Sequence, residues 1–243
     1  MAAPASKSIN DLNGKWRMNK SLSDPFEPVL ALQGVGYIVR KAISAATLTL
    51  HVRQYEAPPS EPTIADDPVD DAARQVSVTH VDIDQTLTGG FKGTTERRCC
   101  DDRRREHSDW LFGHVVGRTR WYRGPGAAAA VVRDFGGEAF LAKGWSETTG
   151  NDNDGDLLVS HVVNQDAGNG WVAAQTWGFQ PVGDSGENGG GGGARRYVRN
   201  IVVTKGEGAE QQRQAVQLVY DFVGERDDAD GAAAEDEDAD LDF

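Results

Sequence analysis

Two groups of polar residues in this chain have the types and the spacing that chemistry requires. His80 is followed by Asp82 and Asp84, and a carboxylate beside an imidazole is a common arrangement in acid–base catalysis. Arg118 and Arg120 occupy alternating positions, so on a strand their side chains share one face. An inward arginine pair would indicate an anionic ligand, because a buried charge needs a partner. We expect an outward, solvated pair and no catalytic side chain.

Further cations are candidates for contact with an acidic ligand. Arg196 and Arg199 are predicted to form a second pair on one strand face, again more favourably outward than inward. Arg40 and Lys41 follow a predicted helix, where cations are favoured by the helix dipole. Arg40 would alternatively lie at an entrance to a binding site and meet an acidic head group there.

Motifs for metals, nucleotides and nucleophilic catalysis are missing from the sequence. Residues 151–156 have the composition of a calcium loop, but the register places Gly150 at the first ligand position and His161 where a bidentate glutamate should stand. We expect a polar turn there. There is no Walker loop, no dinucleotide fingerprint and no Gly-x-Ser-x-Gly. The sequence therefore predicts no metal and no cofactor.

Strands with period-two alternation are the elements that must position these residues. Asp24 and Pro25 predict the start of a helix. The pattern predicts an all-β fold, a single antiparallel up-and-down β-barrel of about nine to eleven strands with a short helical flap at its mouth. The predicted helices cover 25–32 and 35–44, and the predicted strands cover 12–20, 46–56, 74–88, 91–98, one or two within 107–123, a short pair within 131–148, and 157–165, 170–180, 195–205 and 213–223.

A barrel of this size can enclose one small ligand. Candidate lining residues are the large residues on the predicted inward faces, although such residues fill protein cores by default. They are Trp16, Met18, Tyr37, Leu50, Val78, His80, Trp110, Trp171, Trp177 and Tyr220.

Composition and charge limit the possible partners. The chain has 243 residues and a net charge of −13, but residues 225–243 hold ten acidic residues and one arginine, which leaves about −4 for the rest. An acidic body argues against nucleic acid, and no apolar run is long enough for a membrane span. Cys99 and Cys100 are the only cysteines, and the first residues lack an apolar signal segment. We expect a cytoplasmic monomer.

The chain divides into three predicted parts. Residues 1–10 are expected to be a disordered arm, residues 11–223 the barrel domain, and residues 224–243 a disordered acidic tail. Within the barrel domain, residues 25–44 form the flap and residues 57–72 and 183–194 form flexible loops.

Several short motifs match the pattern of one known group of proteins. Residues 12–56 hold Gly14, Trp16, Met18 and Asp24 in order, followed by a helix pair with Gly-Val-Gly at 34–36 and Arg-Lys at 40–41. Residues 91–96 and 218–220 add a central and a terminal match. These residues resemble the cytosolic fatty-acid-binding proteins and, more widely, the lipocalin-like (calycin) group. The composition also resembles that of lipocalin-like proteins of filamentous fungi.

The resemblance implies a barrel with a hydrophobic ligand, and one departure concerns how that ligand is held. The family closes with Arg, any residue and Tyr, and its arginine holds the ligand carboxylate. Here Tyr220 is kept, but Leu218 stands in place of the arginine. Arg199, or Arg213 further out, could take over that role.

Three functions remain open at this point. The first is intracellular binding or transport of a fatty-acid-like or other lipophilic metabolite, with Trp16, Met18, Tyr37, Arg40, His80, Trp171, Trp177, Arg199 and Tyr220 as ligand-binding residues. The second is a cofactor-free cyclase or isomerase in the same cavity, for which fungal lipocalin-like pericyclases are a precedent at the level of the fold. The third is a protein-interaction module that uses the outer barrel and the tail.

Overall fold

The computed structural model describes residues 1–89, 93–145, 155–166, 168–183 and 193–226. Ten strands and three α-helices follow one another in these ranges. They are β1 (Gly14–Met18), α1 (Glu27–Leu32), α2 (Tyr37–Ala45), β2 (Leu48–Ala57), β3 (Val78–Leu87), β4 (Thr95–Cys99), β5 (Arg105–Asp109), β6 (Gly113–Tyr122), α3 (Ala127–Asp134), β7 (Leu157–Asn164), β8 (Trp171–Val182), β9 (Ala194–Lys205) and β10 (Gln212–Gly224).

The strands form one antiparallel sheet in the order β4-β3-β2-β1-β10-β9-β8-β7-β6-β5. Apart from β4 and β5, strands that are consecutive in the chain pair with each other, and β1 also pairs with β10. Strands β4 and β5 are consecutive in the chain and lie at the two edges of the sheet. Contacts between β4 and β6 bring these two edges together. The predicted all-β up-and-down barrel with a few short helices is confirmed.

An aromatic cluster closes one end of the barrel. Trp16 is fully buried, and its ring lies 5.0–5.8 Å from those of Phe179, Tyr197 and Phe222. Its indole nitrogen donates a hydrogen bond to the carbonyl of Leu12 (2.7 Å). Because tilted and edge-to-face aromatic contacts pack without voids, this cluster is a solid floor.

Helices α1 and α2 cover the opposite end, as predicted, although α1 begins two residues later than expected. Asp24 does not cap the helix, because its carboxylate instead accepts a hydrogen bond from the backbone nitrogen of Gln217 (2.8 Å). A small apolar cluster of Leu30, Val35 and Ile43 joins the two helices to the mouth of the barrel.

The predicted short strand pair within 131–148 is wrong. That stretch instead contains the second half of α3 and a 3₁₀ turn at Ala139–Ala142. Four consecutive alanines favour a helix, and Val131 and Leu141 bury themselves against Val159 and Val202 on the outer face of the sheet. The outer face of β7–β9 therefore carries a second hydrophobic layer.

The N-terminal residues differ from the expected disordered arm. Ala3, Lys7 and Ile9 are buried, and Ala3 donates its backbone N–H to the carbonyl of Arg195 on β9 (2.7 Å). The ammonium group of Lys7 also pairs with Glu225 (2.9 Å). Isolated apolar residues such as Ala3 and Ile9 hold this segment against the barrel. Because they form no periodic pattern, the sequence did not predict that the segment packs.

Parts of several predictions lie outside the described residues. These are the polar turn at 151–154, the glycine-rich loop at 184–192 and the tail from 227 onward. Of the predicted tail, Glu225 pairs with Lys7 and Arg226 pairs with Asp84 on β3 (3.1 Å).

The outer layer gives the first prediction. Leu141→Ala should lower the free energy of unfolding by about 2–5 kcal/mol, because it opens a cavity in a fully buried cluster. Urea denaturation measures the loss. Arg133→Ala, at an exposed position of α3, should change stability by less than about 0.5 kcal/mol. If the Leu141→Ala variant were as stable as the unchanged protein, the assignment of Leu141 to a buried hydrophobic layer would be wrong.

Candidate ligand-binding cavity

A cavity of about 440 Å³ lies inside the barrel. Such a volume is within the range typical of small-molecule sites. Most of the wall is apolar and includes Met18, Leu50, Val115, Ile201, Val216 and Leu218. The polar lining residues lie mainly on β4 and β5. Further members are Gln85 on β3, Gln175 on β8 and Arg199 on β9.

Three charged side chains form the polar centre of this cavity: the buried Arg199 and the partly buried Glu96 and Arg98. Arg199 is only 4% exposed, and its Nη1 lies 3.3 Å from Oε1 of Glu96. The other carboxylate oxygen of Glu96 accepts two hydrogen bonds from Arg98 (2.9 and 3.1 Å). Gln85 donates a further hydrogen bond to Oε1 (2.9 Å). Two guanidinium groups therefore share one carboxylate, which leaves this charge cluster with one excess positive charge.

The charge cluster fixes the ionisation of its members. Burial alone would raise the pKa of Glu96, but the positive charges of Arg199 and Arg98 and their hydrogen bonds lower it to about 2. Burial raises the pKa of the Tyr220 hydroxyl to about 12, and burial likewise raises the pKa of Tyr197. At neutral pH the carboxylate is therefore charged and both phenols are neutral.

Arg199 is held from several sides and still has one unused donor. Its Nε donates to the hydroxyl of Tyr197 (2.8 Å), and its guanidinium carbon lies 4.0 Å from the ring centroid of Trp177. Among the described residues, the buried Nη2 has no hydrogen-bond partner. A buried charged donor without a partner costs free energy, so a ligand atom that accepts this hydrogen bond would be stabilised here.

Arg199 also explains the leucine at position 218. In the antiparallel register, Leu218 of β10 lies directly opposite Arg199 of β9, and both residues line the cavity. A guanidinium group thus enters the cavity from the strand next to position 218. Arg213, the other candidate, lies at the barrel surface and pairs with Glu138 (2.7 Å).

The structure brings part of the predicted site together. Met18, Trp171, Arg199 and Tyr220 line the cavity, as do Leu50 and Trp110. Trp177 lies directly against Arg199 and is fully buried. Met18, Leu50, Trp171, Trp177 and Tyr220 have the inward parity that the alternation predicted. Arg199 was expected more favourably on the outer face, and this expectation was wrong.

Four predicted ligand-binding residues lie elsewhere. Trp16 belongs to the aromatic floor rather than the cavity wall. Tyr37 is 64% exposed, because α2 turns the face with Ile43 inward. Arg40 pairs with Glu27 (3.3 Å) and donates to the carbonyl of Val35 (2.6 Å). His80 lies on the outer face of β3, because Val81 and Ile83 occupy the interior.

His80 and the paired arginines show no catalytic arrangement. His80 stacks on Tyr55 with ring centroids 5.1 Å apart and contacts the carbonyl of Pro58 (3.0 Å). Arg118 and Arg120 face outward and both approach Asp102, as expected. The prediction of a second pair was wrong, because three positions separate Arg196 from Arg199 and an odd number puts them on opposite faces. Arg196 pairs with Asp221 on the outside (2.9 Å).

Sequence reasoning missed Glu96 and Arg98 as site residues. They lie two positions apart on β4, and the neighbouring Arg97 points outward to Asp84 (2.7 Å). The available signal was the alternation of Glu96 and Arg98 within a predicted strand, since residues two apart share a face.

Metal-binding groups and membrane-spanning helices are both absent from the described residues. No group of three or more histidine, cysteine, aspartate or glutamate side chains could hold a metal ion there. In the same ranges, no helix has the length and apolarity to cross a membrane.

The fold and site define an up-and-down β-barrel with an interior cavity. No family model matches the chain. A probable pericyclase of Mollisia scopiformis is 27% identical over 92% of this chain and 95% of its own length. A pericyclase of an Acremonium species is 24% identical over 93% and 99%. A solved fatty-acid-binding protein of Schistosoma mansoni in complex with arachidonic acid has a TM-score of 0.44 and 9% identity, and covers 87% of this chain and 95% of that one.

These comparisons confirm the predicted resemblance. The neighbours among solved structures are fatty-acid-binding proteins of the calycin type, and the curated relatives are fungal pericyclases. The assignment of the fold itself rests on the strand order and register described above.

The charge cluster gives the second prediction. Glu96→Gln should lower the free energy of unfolding at neutral pH by about 3–5 kcal/mol, because two buried guanidinium groups lose their carboxylate. The pKa of Glu96 is lowered from 4.5 to about 2 on folding. Its charge therefore stabilises the fold above pH 4.5, and this contribution is lost as the pH falls toward 2.

Urea denaturation from neutral pH down to about pH 3 tests this, because the difference between the two proteins should narrow on acidification. Arg97→Ala on the outer face of the same strand should cost at most about 1 kcal/mol. If the difference in the free energy of unfolding between Glu96→Gln and the unchanged protein did not change with pH, the assignment of a charged Glu96 would be wrong.

Proposed function

We propose that this protein binds a flexible, lipophilic small molecule with a polar carbonyl-containing head group and catalyses a cofactor-free pericyclic ring closure on it. The observation that carries the proposal is the buried Arg199, which lines a cavity with a mostly apolar wall and keeps one donor unused. The head group would accept a hydrogen bond from Arg199, and the remainder of the molecule would lie against the apolar wall.

The proposed reaction matches the chemistry of the cavity. In a pericyclic ring closure, π bonds are exchanged for σ bonds within one molecule, with no atom or electron gained or lost. The protein has to hold a reactive conformer, and positioning alone can lower a barrier by several kcal/mol. A guanidinium group that donates to a conjugated carbonyl also withdraws electron density from the reacting alkene, which is electrostatic stabilisation by a fixed donor.

The curated relatives support this proposal over a purely passive role. Both carry the name pericyclase, and both align over more than nine-tenths of the chain. Cofactor-free catalysis agrees with the absence of nucleotide motifs from the sequence. The free thiols of Cys99 and Cys100 are compatible with a reducing compartment, so we keep the cytoplasm as the proposed location.

Binding or transport without turnover is the second candidate. It is favoured by the same apolar cavity and by the helical cover at the mouth, which would gate the entry of a ligand. Both candidates require a ligand inside the barrel, and only turnover separates them.

A panel of synthetic linear polyenes, each ending in a conjugated carbonyl, tests the proposed function. Incubation with the purified protein should accelerate ring closure of at least one member and should yield one stereoisomer in excess, as measured by chiral chromatography. Heat-denatured protein is the control. Tight binding of polyenes that all remain linear would instead favour the transport candidate, and no binding of any member would reject both.

The third prediction concerns Arg199. Arg199→Met should weaken binding of a fluorescent polyene fatty acid by about 10- to 100-fold, since it removes a hydrogen bond to a charged group. The neutral methyl ester of the same acid should lose far less, because it carries no charge for the cluster to attract. Fluorescence titration measures both affinities.

The matched control is Arg213→Met, which removes an arginine from the outer surface and should leave both affinities unchanged. Urea denaturation of Arg199→Met verifies that the barrel remains folded. An equal loss for acid and ester would exclude Arg199 as the binding group for the head.

A further inference from the structure

The cavity contains a second unused donor that the proposed function does not explain. Trp171 is the first residue of β8, is 2% exposed and lines the cavity. Among the described residues, its buried indole nitrogen has no hydrogen-bond partner. Buried tryptophan N–H groups ordinarily find an acceptor, so this one needs an explanation.

The other tryptophans show how unusual Trp171 is. The chain has six, and four of them donate their indole N–H to a protein oxygen: Trp16, Trp110, Trp145 and Trp177. Trp121 also lacks an acceptor, but it is not part of the cavity wall and stacks on the guanidinium group of Arg123 (3.7 Å). Trp171 alone among the six combines an unused N–H with a place in the cavity wall.

The surroundings of Trp171 indicate which kind of ligand atom could accept a hydrogen bond from its indole N–H. An indole N–H is only a donor, so the partner must be an acceptor. Phe112 meets the ring edge-to-face with centroids 6.0 Å apart, and Trp171 belongs to the main apolar cluster. The nearest cation in the register, Lys205, already donates to the side chain of Asn169 (3.0 Å). An uncharged oxygen suits this place, since an anion would lack a counter-charge.

The two unused donors lie at opposite ends of the cavity. Trp177, against which Arg199 packs, is six positions beyond Trp171 on the same strand. Six residues of strand span about 20 Å. Trp171 lies near the mouth, because Phe112 also packs against the cluster that joins the flap to the barrel, whereas Arg199 lies near the aromatic floor beside Tyr197.

We propose that Trp171 is a second polar anchor, and that the ligand is an elongated lipophilic molecule with an uncharged hydrogen-bond acceptor, such as a hydroxyl, ether or carbonyl oxygen, at the end remote from its Arg199-bound head. This inference rests on the proposed function, which supplies the head group at Arg199. With both ends held, the middle of a flexible chain has fewer conformations, and such restriction is what a ring closure without acid–base groups requires.

Competition binding with paired probes tests the second anchor. A series of ω-hydroxy fatty acids of increasing chain length is compared with the plain fatty acids of the same lengths, each displacing a fluorescent polyene acid. In the unchanged protein the ω-hydroxy acid should bind better than its plain partner at one chain length and worse at the others, because only one length places the hydroxyl at Trp171.

Trp171→Phe should remove this preference, with a change of about threefold to tenfold in the affinity ratio at that length, the range of one neutral hydrogen bond. Trp121→Phe is the matched control and should keep the preference. The inference would be overturned if the ratio of the affinities for the ω-hydroxy and plain acids were the same in Trp171→Phe as in the unchanged protein, or the same at every chain length. Either result would leave the proposed function intact. Failure of the plain acids themselves to bind would reject the proposed binding mode and the second anchor with it.

An indole ¹⁵N spectrum gives a measurement that does not depend on a variant's stability. Addition of the best ω-hydroxy acid should move the Trp171 indole proton downfield relative to the plain acid of the same length, while the Trp121 signal stays in place. An indistinguishable Trp171 signal with the two acids would overturn the inference.

Discussion

The buried interaction of Glu96 with Arg98 and Arg199 is the constraint on which the interior depends. Arg199 projects from the middle of the sheet order and Glu96 from its edge, so the ion pair ties together strands that are remote in the sheet. Burial of three charges is unfavourable unless each has close partners. Both carboxylate oxygens of Glu96 accept hydrogen bonds, whereas Nη2 of Arg199 has no partner among the described residues. A ligand atom that accepts a hydrogen bond from Nη2 would supply the missing partner.

The same charges compensate for a weakness in the barrel wall. Strands β4 and β5 are the edges of the sheet, and an edge strand lacks half of its ladder hydrogen bonds. Arg98 reaches from β4 to the hydroxyl of Ser160 on β7 (3.0 Å), and Glu96 reaches Arg199 on β9. Side chains thus hold β4 across the interior, so a change at Glu96 affects both the site and the closure of the barrel.

Strand alternation and turn residues were enough to predict the barrel, because a half-buried strand repeats every two residues whatever its neighbours are. They failed at α3, where small residues fit a helix or a weak strand and the outer face of the sheet decides between them. Within the site, parity predicted Met18, Trp171 and Tyr220 on the inner face, whereas it favoured an outward Arg199, which was a candidate only as a substitute for the arginine missing at Leu218. Parity could not show that Trp16 lies in a solid floor, because that depends on how four aromatic residues from four strands pack. Glu96 and Arg98 were missed because their interior location depends on Arg199, a partner 103 positions away in the sequence from Glu96.

The ionisation of the interior bears on the kind of reaction this cavity suits. A group that transfers protons at neutral pH needs a pKa near 7, whereas the pKa of Glu96 is lowered to about 2 and that of Tyr220 is raised to about 12. His80 faces away from the cavity, whereas His107, which contacts Asp109 (3.3 Å), lines it. Glu96, Arg199 and Tyr220 can orient a molecule and polarise its oxygen atoms, but these three side chains do not exchange protons readily. A unimolecular ring closure requires only orientation and polarisation, and of the reactions considered for this fold it is the one that makes use of a charged, non-titrating arginine at the end of an apolar chamber.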